Sequence, residues 1–382
     1  MNYGGNRFFR KKAPEKIGFK SIPNIHKSIV LWIFISFLPI VVIGLLAYYG
    51  SREIFIKNVT KGSLDLLAQT VANIQLKLTE FEHISVEFFI DDEFKNIVTG
   101  YLRAKDSRVK LQAKNDIESY FNKYMTNNPD IFAFMFTSNH LSRDTVFLCK
   151  NGNEEIYDMA RRFRNTTTYK NIYRASGGIV WSSSIKINAN HYLILGRVIK
   201  NTLTGENLGV LSIVINEERV DRLANLNIYN KFNMPSGVIE NFNVIINDKG
   251  EIVSTVFKKD IGKTINEIMT HKGPLEKNLS LSLNQGYQTI AGEGSFITSV
   301  NGKETLVTFK SIGSKNGINN YNGWFLLSLT PTSYLYSELK GLYVIMIIVG
   351  LFLELLCLWF FFYCIMLPGF FDQTNIPAKV MI

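Results

Sequence analysis

The stretch YLILGRVIKNTLTGENLGVLSIVI, residues 192–215, decides the fold class. Two apolar runs, Tyr192–Ile199 and Leu208–Ile215, flank KNTLTGEN at 200–207. The Asn, Thr and Gly of that connection favour a turn, so the stretch is expected to fold as a β-hairpin. Upstream, IFAFMFT at 131–137 is apolar throughout, and Thr145–Cys149 follows a turn-like stretch at 139–144. Both read as strands. Asp158–Arg174 reads as a short helix and loop ending near Gly177 and Gly178, and Ser107–Asn127 as a further helix. Strands, a helical insertion and a long hairpin predict a mixed sheet with helices on one side.

Downstream the pattern repeats in a second unit. Phe242–Ile246 is a strand, Asp248-Lys249-Gly250 a turn, and Glu251–Val256 the returning strand. Ile265–His271 is a candidate short helix. Gln285–Phe309 holds more strands, with a tight turn at Asn301-Gly302, and Trp324–Thr330 is the last strand before Pro331.

Before the first unit lies a helical stripe. Leu64, Leu67, Val71, Ile74, Leu78, Phe81 and Phe88 recur at heptad-like spacing on a helix over about 51–90. The stripe either packs against its own domain or lines a parallel dimer, and the two uses are compatible. Ser28–Tyr49 carries no charge over 22 residues, and Leu342–Leu367 carries only Glu354. Each is long enough for a bilayer core, which takes about 20 apolar residues. Residues 1–27 hold Arg7, Arg10, Lys11, Lys12, Lys16, Lys20 and Lys27 against Glu15 alone, which places that end on the cytoplasmic side. The net charge of +10 is therefore partly a topology signal. The expected fold is α+β with two transmembrane helices, a long stalk helix and two tandem units with antiparallel sheets. The expected partition is 1–27 cytoplasmic basic tail, 28–50 first transmembrane helix, 51–90 stalk, 91–230 membrane-distal unit, 231–340 membrane-proximal unit, 341–367 second transmembrane helix and 368–382 short cytoplasmic tail. The expected placement is a multi-pass protein of the cell membrane with both termini cytoplasmic, 51–341 outside and the lipid bilayer as partner. A tail held at a membrane is not expected to bind nucleic acid.

The order of these parts resembles a known family. Gly178-Ile179-Val180-Trp181 looks like the G-x-x-W turn of a distal PAS-like unit, and Arg197-Val198-Ile199 with Leu208–Leu211 and Ile213–Ile215 looks like its closing hairpin. The run 244–253 resembles the opening hairpin of a proximal unit, Ile261-Gly262-Lys263 the turn after it, and Gly323-Trp324 with Leu326, Leu327 and Pro331 its final strand. Together they are similar to the double Cache sensory region, and Leu38-Pro39 is similar to YesM-type sensor histidine kinases. The resemblance covers about residues 28–367. It implies a sensor that binds a small ligand and passes a conformational change across the membrane, acting in signal transduction as the input half of a two-component histidine kinase. The HAMP and kinase parts are not in this sequence, so no enzyme activity is expected. A non-catalytic partner that modulates a separate histidine kinase, and a truncated fragment that does not signal, are the alternatives.

No catalytic motif stands out. The histidines, at 26, 83, 140, 191 and 271, are scattered, and no Cys or His cluster has metal-ligand spacing. Neither cofactor nor metal is expected. The resemblance puts the ligand of the distal unit between its sheet and the helical insertion. Tyr169, Tyr173 and Trp181 could stack on a sugar or heterocycle there. Arg164 or Arg197 could pair with a carboxylate or phosphate. The family's amino-acid motif, Tyr-x-x-x-x-Arg-x-Trp-Tyr, is absent: aligned on Tyr169, its first Tyr, Arg and Trp fall on Arg161, Thr166 and Thr168. Glu354 is the polar residue singled out in the second span, where a charge signals function. A homodimer through the stalk and transmembrane helices is the expected assembly.

Overall fold

The computed structural model of the chain describes residues 22–139, 144–150, 152, 154–187, 189–230, 241–269, 292–313 and 323–371. The basic tail up to residue 21, the connection at 231–240, part of the 285–309 region and the C-terminal tail from 372 lie outside the described residues. The chain divides into two units, one of residues 56–337 and one of residues 1–55 with 338–382.

Helix α1 runs from Ile22 to Ile90, α2 covers Asp92–Arg103 and α3 Ser107–Asn127. Aspartates set the starts of the last two. Asp91 accepts from the backbone N–H groups of Glu93 and Phe94, and Asp106 from those of Arg108 and Val109. The first sheet holds β1 (Ile131–Ser138), β2 (Thr145–Cys149), β3 (Val180–Trp181), β4 (Ile185–Ile187), β5 (Asn190–Lys200) and β6 (Asn207–Asn216). Its order is β2-β1-β6-β5-β3, with β4 also on β5, and every pairing is antiparallel. The insertion is two helices, α4 (Glu154–Arg162) and α5 (Thr167–Arg174), joined by a 3₁₀ turn at Phe163–Asn165.

The hairpin at 192–215 forms as expected, as the centre of this sheet. Asn201 closes its loop by accepting from the N–H groups of Leu203 and Thr204, and Gly205 takes φ +71°. Both strands read as nearly unbroken apolar runs because both faces are covered. Leu193, Leu195, Leu211 and Ile213 pack with α1 to α3, while Ile194, Val198, Val210 and Val214 pack under the insertion. Gly209 lets β6 approach β1. A Cβ there would sit 2.5 Å from the Thr137 carbonyl oxygen and 2.6 Å from the Phe136 ring.

After α6 (Glu217–Ala224) and α7 (Leu226–Asn230) comes the second sheet: β7 (Phe242–Ile246), β8 (Ile252–Thr255), β9 (Glu293–Val300), β10 (Lys303–Ser311) and β11 (Phe325–Pro331), ordered β8-β7-β11-β10-β9. Helix α8 is Ile265–Ile268, and α9 runs from Thr332 to Phe371. Asn301 and Gly302 both take positive φ, which suits the tight turn between β9 and β10.

The stripe on α1 is spent inside the chain. Leu67, Val71, Ile74, Leu78, Phe81 and Phe88 are all buried in the core shared with the sheets. A polar cluster ties the two sheets' regions together. Lys258 sits 2.7 Å from Glu217 Oε2 and 2.8 Å from Asp221 Oδ2. Ser254 donates to Glu217 at 2.6 Å, and Asn225 and Tyr229 donate to Asp221 at 2.7 and 2.5 Å. Burial pushes the Glu217 carboxyl up, against the pull of Lys258.

The α+β class and the antiparallel sheets agree with the sequence, but the mixed sheet with helices on one side does not: every strand pair is antiparallel, and helices cover both faces of the first sheet. The two transmembrane helices do not stand. Among the described residues, no helix is long and apolar enough to cross a membrane. Beyond Ile54, α1 carries Lys57, Lys61 and Asp65. With no such helix, the expected spans at 28–50 and 341–367 fall. The multi-pass placement in the cell membrane is overturned with them. Glu354, expected as the polar residue of the second span, is a half-buried residue of α9.

Candidate functional site

The insertion docks on the first sheet through a missing side chain. Ile172 of α5 occupies the space where a Cβ at Gly196 of β5 would lie. Thr166 starts α5, its hydroxyl accepting from the N–H of Tyr169 at 3.2 Å. That cap turns Tyr169 inward. It is 6% exposed, edge-on to Phe163 and stacked with Tyr173 at 6.2 Å between ring centroids. Arg164, one turn earlier, donates to the carbonyl oxygens of Ser138 at 3.3 Å and Asn139 at 2.7 Å. It thereby bridges the insertion to the end of β1. Burial pushes the Tyr169 phenol up, and the nearby Arg164 charge opposes that shift.

Two hydroxyls on this face have no hydrogen-bond partner in the protein. They are the Tyr169 phenol and Ser212 Oγ, the latter on a fully buried residue of β6. Ser212 pairs across the ladder with Gly196, so it lies beside the point where α5 docks. Leaving a buried hydroxyl unpaired costs about 1–3 kcal/mol. Native proteins keep few such groups, and those they keep call for an explanation.

Of the five residues expected at the site, Arg164, Tyr169 and Tyr173 come together. Tyr173 adds a 3.4 Å contact from Asn207 to its hydroxyl. Trp181 and Arg197 lie on the opposite face of the sheet, toward α1. Trp181 donates its indole N–H to Glu82 Oε1 at 2.9 Å and packs near Phe81 and Trp324. The Arg197 guanidinium lies 5.2 Å over the Phe89 ring, and its buried Nε has no hydrogen-bond partner. Burial pushes the Glu82 carboxyl up, while the Trp181 hydrogen bond and the Arg197 charge pull it down. This trio joins α1 to the sheet edge.

Sequence reasoning missed Ser212, Gly196 and Glu82. A lone Ser inside LSIVI is a visible interruption of an apolar strand. Glu82 follows directly on a stripe residue, Phe81, and nothing in its spacing marks it as buried. Among the described residues, no group of three or more His, Cys, Asp or Glu side chains is placed to hold a metal.

No family model matches the chain, and no curated protein matches it. Solved structures similar to it are ligand-binding domains of chemoreceptors and an extracellular domain of a candidate histidine kinase. The ligand-binding domain of the Pseudomonas aeruginosa amino-acid chemoreceptor PctC, in complex with GABA, is 14% identical, covers 71% of this chain and 99% of its own, and has a TM-score of 0.46. That of the Pseudomonas fluorescens chemoreceptor CtaA, in complex with L-serine, is 12% identical over 72% and 99%, with a TM-score of 0.47. The extracellular domain of mmHK1S-Z3, the candidate kinase, is 12% identical over 74% and 97%, with a TM-score of 0.48. At these identities and TM-scores, none of the three assigns this chain a ligand or a role.

Proposed function

We propose that the chain is a sensory domain that binds a small polar molecule between the insertion and the first sheet. The observation that carries this is two unpartnered buried hydroxyls under the insertion, that of Tyr169, which lies within reach of the Arg164 charge, and that of Ser212. A ligand reaching this face would meet a hydroxyl donor and acceptor from each, a cation in Arg164 and a ring in Tyr173. Binding would move α5 against β5 and β6. The sheet is tied to α1 through Trp181 and Glu82, and α1 is tied to the second sheet through the Ser63–Thr308 hydrogen bond at 2.9 Å. A ligand that favours one arrangement of these contacts would shift α1 between two states. A histidine kinase as the output partner is a proposal resting on the resemblance alone.

Tyr169→Phe tests the site. It removes the unpartnered hydroxyl and keeps the ring stacked on Tyr173. Without ligand, the variant should be more stable than the parent by about 1 kcal/mol in urea denaturation. A loss of more than that amount would show that the hydroxyl is already satisfied, and would sink this reading of the site.

Self-association through the outer edge of α1 is a second proposal. Leu76 and Ile90 are 72% and 65% exposed. They share one heptad seam opposite the buried stripe, so a second copy could cover them. Leu76→Glu should then convert dimers to monomers in size-exclusion chromatography with light scattering. A parent chain that is monomeric at tens of micromolar would exclude this assembly.

A further inference from the structure

The helix-facing side of the second sheet changes character along its strands. At one end Ile245 and Leu326, paired across β7 and β11, pack into the core with α1. Two residues along, the same face carries Asn243 opposite Ser328, with Thr308 of β10 opposite Ser328 on its other side. Thr330 continues this face on β11. A sheet face covered by a helix is ordinarily apolar, since an unfilled polar row lowers stability. Here α1 meets the polar row with Gly62 and Ser63, its smallest side chains in that region. The result is a cleft of about 210 Å³ between α1, β7, β11 and the first turn of α9.

We propose that this cleft is a second binding site, separate from the one under α5, for a small neutral polyhydroxylated molecule: a monosaccharide or polyol. Its lining carries no charged side chain. A carboxylate or ammonium entering it would lose water without gaining a counter-charge. Its polar groups are hydroxyls and amides, which both donate and accept, as a run of ligand hydroxyls requires. Leu66, Leu335 and the Tyr334 ring supply an apolar wall suited to the C–H face of a sugar ring. The volume is below the roughly 300–1,000 Å³ of pockets for larger ligands, so it suits one ring and not an oligomer. An occupant would touch α1 and the start of α9 together, so this site reaches both helices without passing through the first sheet.

The test uses the full chain, with D-glucose, D-ribose and myo-inositol as probes and L-serine as a charged comparison, read by thermal shift and titration calorimetry. At least one of the three neutral probes should raise Tm by about 2–4 °C near saturation. Ser328→Leu fills the cleft, and should abolish that shift while the far-UV circular dichroism and a cooperative melt are kept. Thr330→Val keeps the volume, and should weaken affinity about fivefold by removing one hydroxyl. The proposal is overturned if no neutral probe shifts Tm, or if the shift survives Ser328→Leu. A response to L-serine alone that persists in Ser328→Leu would also overturn it, while leaving the site under α5 standing.

Discussion

Phe88→Ala should lower the unfolding free energy by about 3–5 kcal/mol, the range for truncating a fully buried aromatic. Phe88 is the last stripe residue of α1 and has no exposed surface. Its ring centroid lies 4.6 Å from Tyr124, 4.8 Å from Phe94, 5.3 Å from Phe134, 5.9 Å from Tyr120 and 6.0 Å from Phe121. Those partners belong to α2, α3 and β1, so one side chain joins three elements to α1. Truncation removes the apolar area and leaves a cavity that five ring neighbours, spread over three elements, cannot readily close. Urea denaturation of the full chain gives the value, and Phe88→Leu should lose markedly less. A loss below about 1 kcal/mol for the alanine variant would mean that this end of α1 is not packed as described.

Lys258→Met is the second large effect. Glu217 and Asp221 lie one turn apart on α6, are 1% and 0% exposed, and share the single ammonium of Lys258. Removing that charge leaves two buried carboxylates facing each other with only neutral donors. Breaking a buried pair costs about 3–5 kcal/mol. Lys258 is one-third exposed, and water partly replaces it, so the expected loss is about 2–3 kcal/mol at neutral pH.

The pH dependence gives this prediction a sign. Burial already raises the Glu217 carboxyl above its ordinary value of 4.5 in the folded chain. A carboxyl raised on folding contributes stability that is fully present below its unfolded value, and that is lost as pH rises through the folded one. Lys258→Met raises it further, so the damage should be larger at pH 8 than at pH 5. An equal loss at both values would show that the cluster is held by its neutral hydrogen bonds and not by charge.

Much of the scaffold was legible from the sequence because period and turn chemistry act locally. The hairpin at 192–215, the Asn301-Gly302 turn and the α1 stripe are each written in a few neighbouring residues. The short strands β3 and β4 were not, because two or three residues are too few to show a period. The site was only partly legible. Arg164, Tyr169 and Tyr173 lie within ten residues on one insertion, and their proximity follows from that. Trp181 and Arg197 were grouped with them by order in the chain. The pleat sends Arg197 and Gly196 to opposite faces, and this one-residue alternation separates the two clusters. The membrane assignment rested on composition over 28–49 and 342–367, and the described helices do not sustain it.

The claim at the centre of the account is that a small polar ligand binds under α5. A thermal-shift screen of the full chain against organic acids, amino acids, sugars and short peptides, run beside Tyr169→Phe, measures it most directly. The account predicts at least one compound that raises the Tm of the parent by several degrees and that of Tyr169→Phe by clearly less. No stabilising compound across the library, or a hit that stabilises both proteins equally, would contradict it.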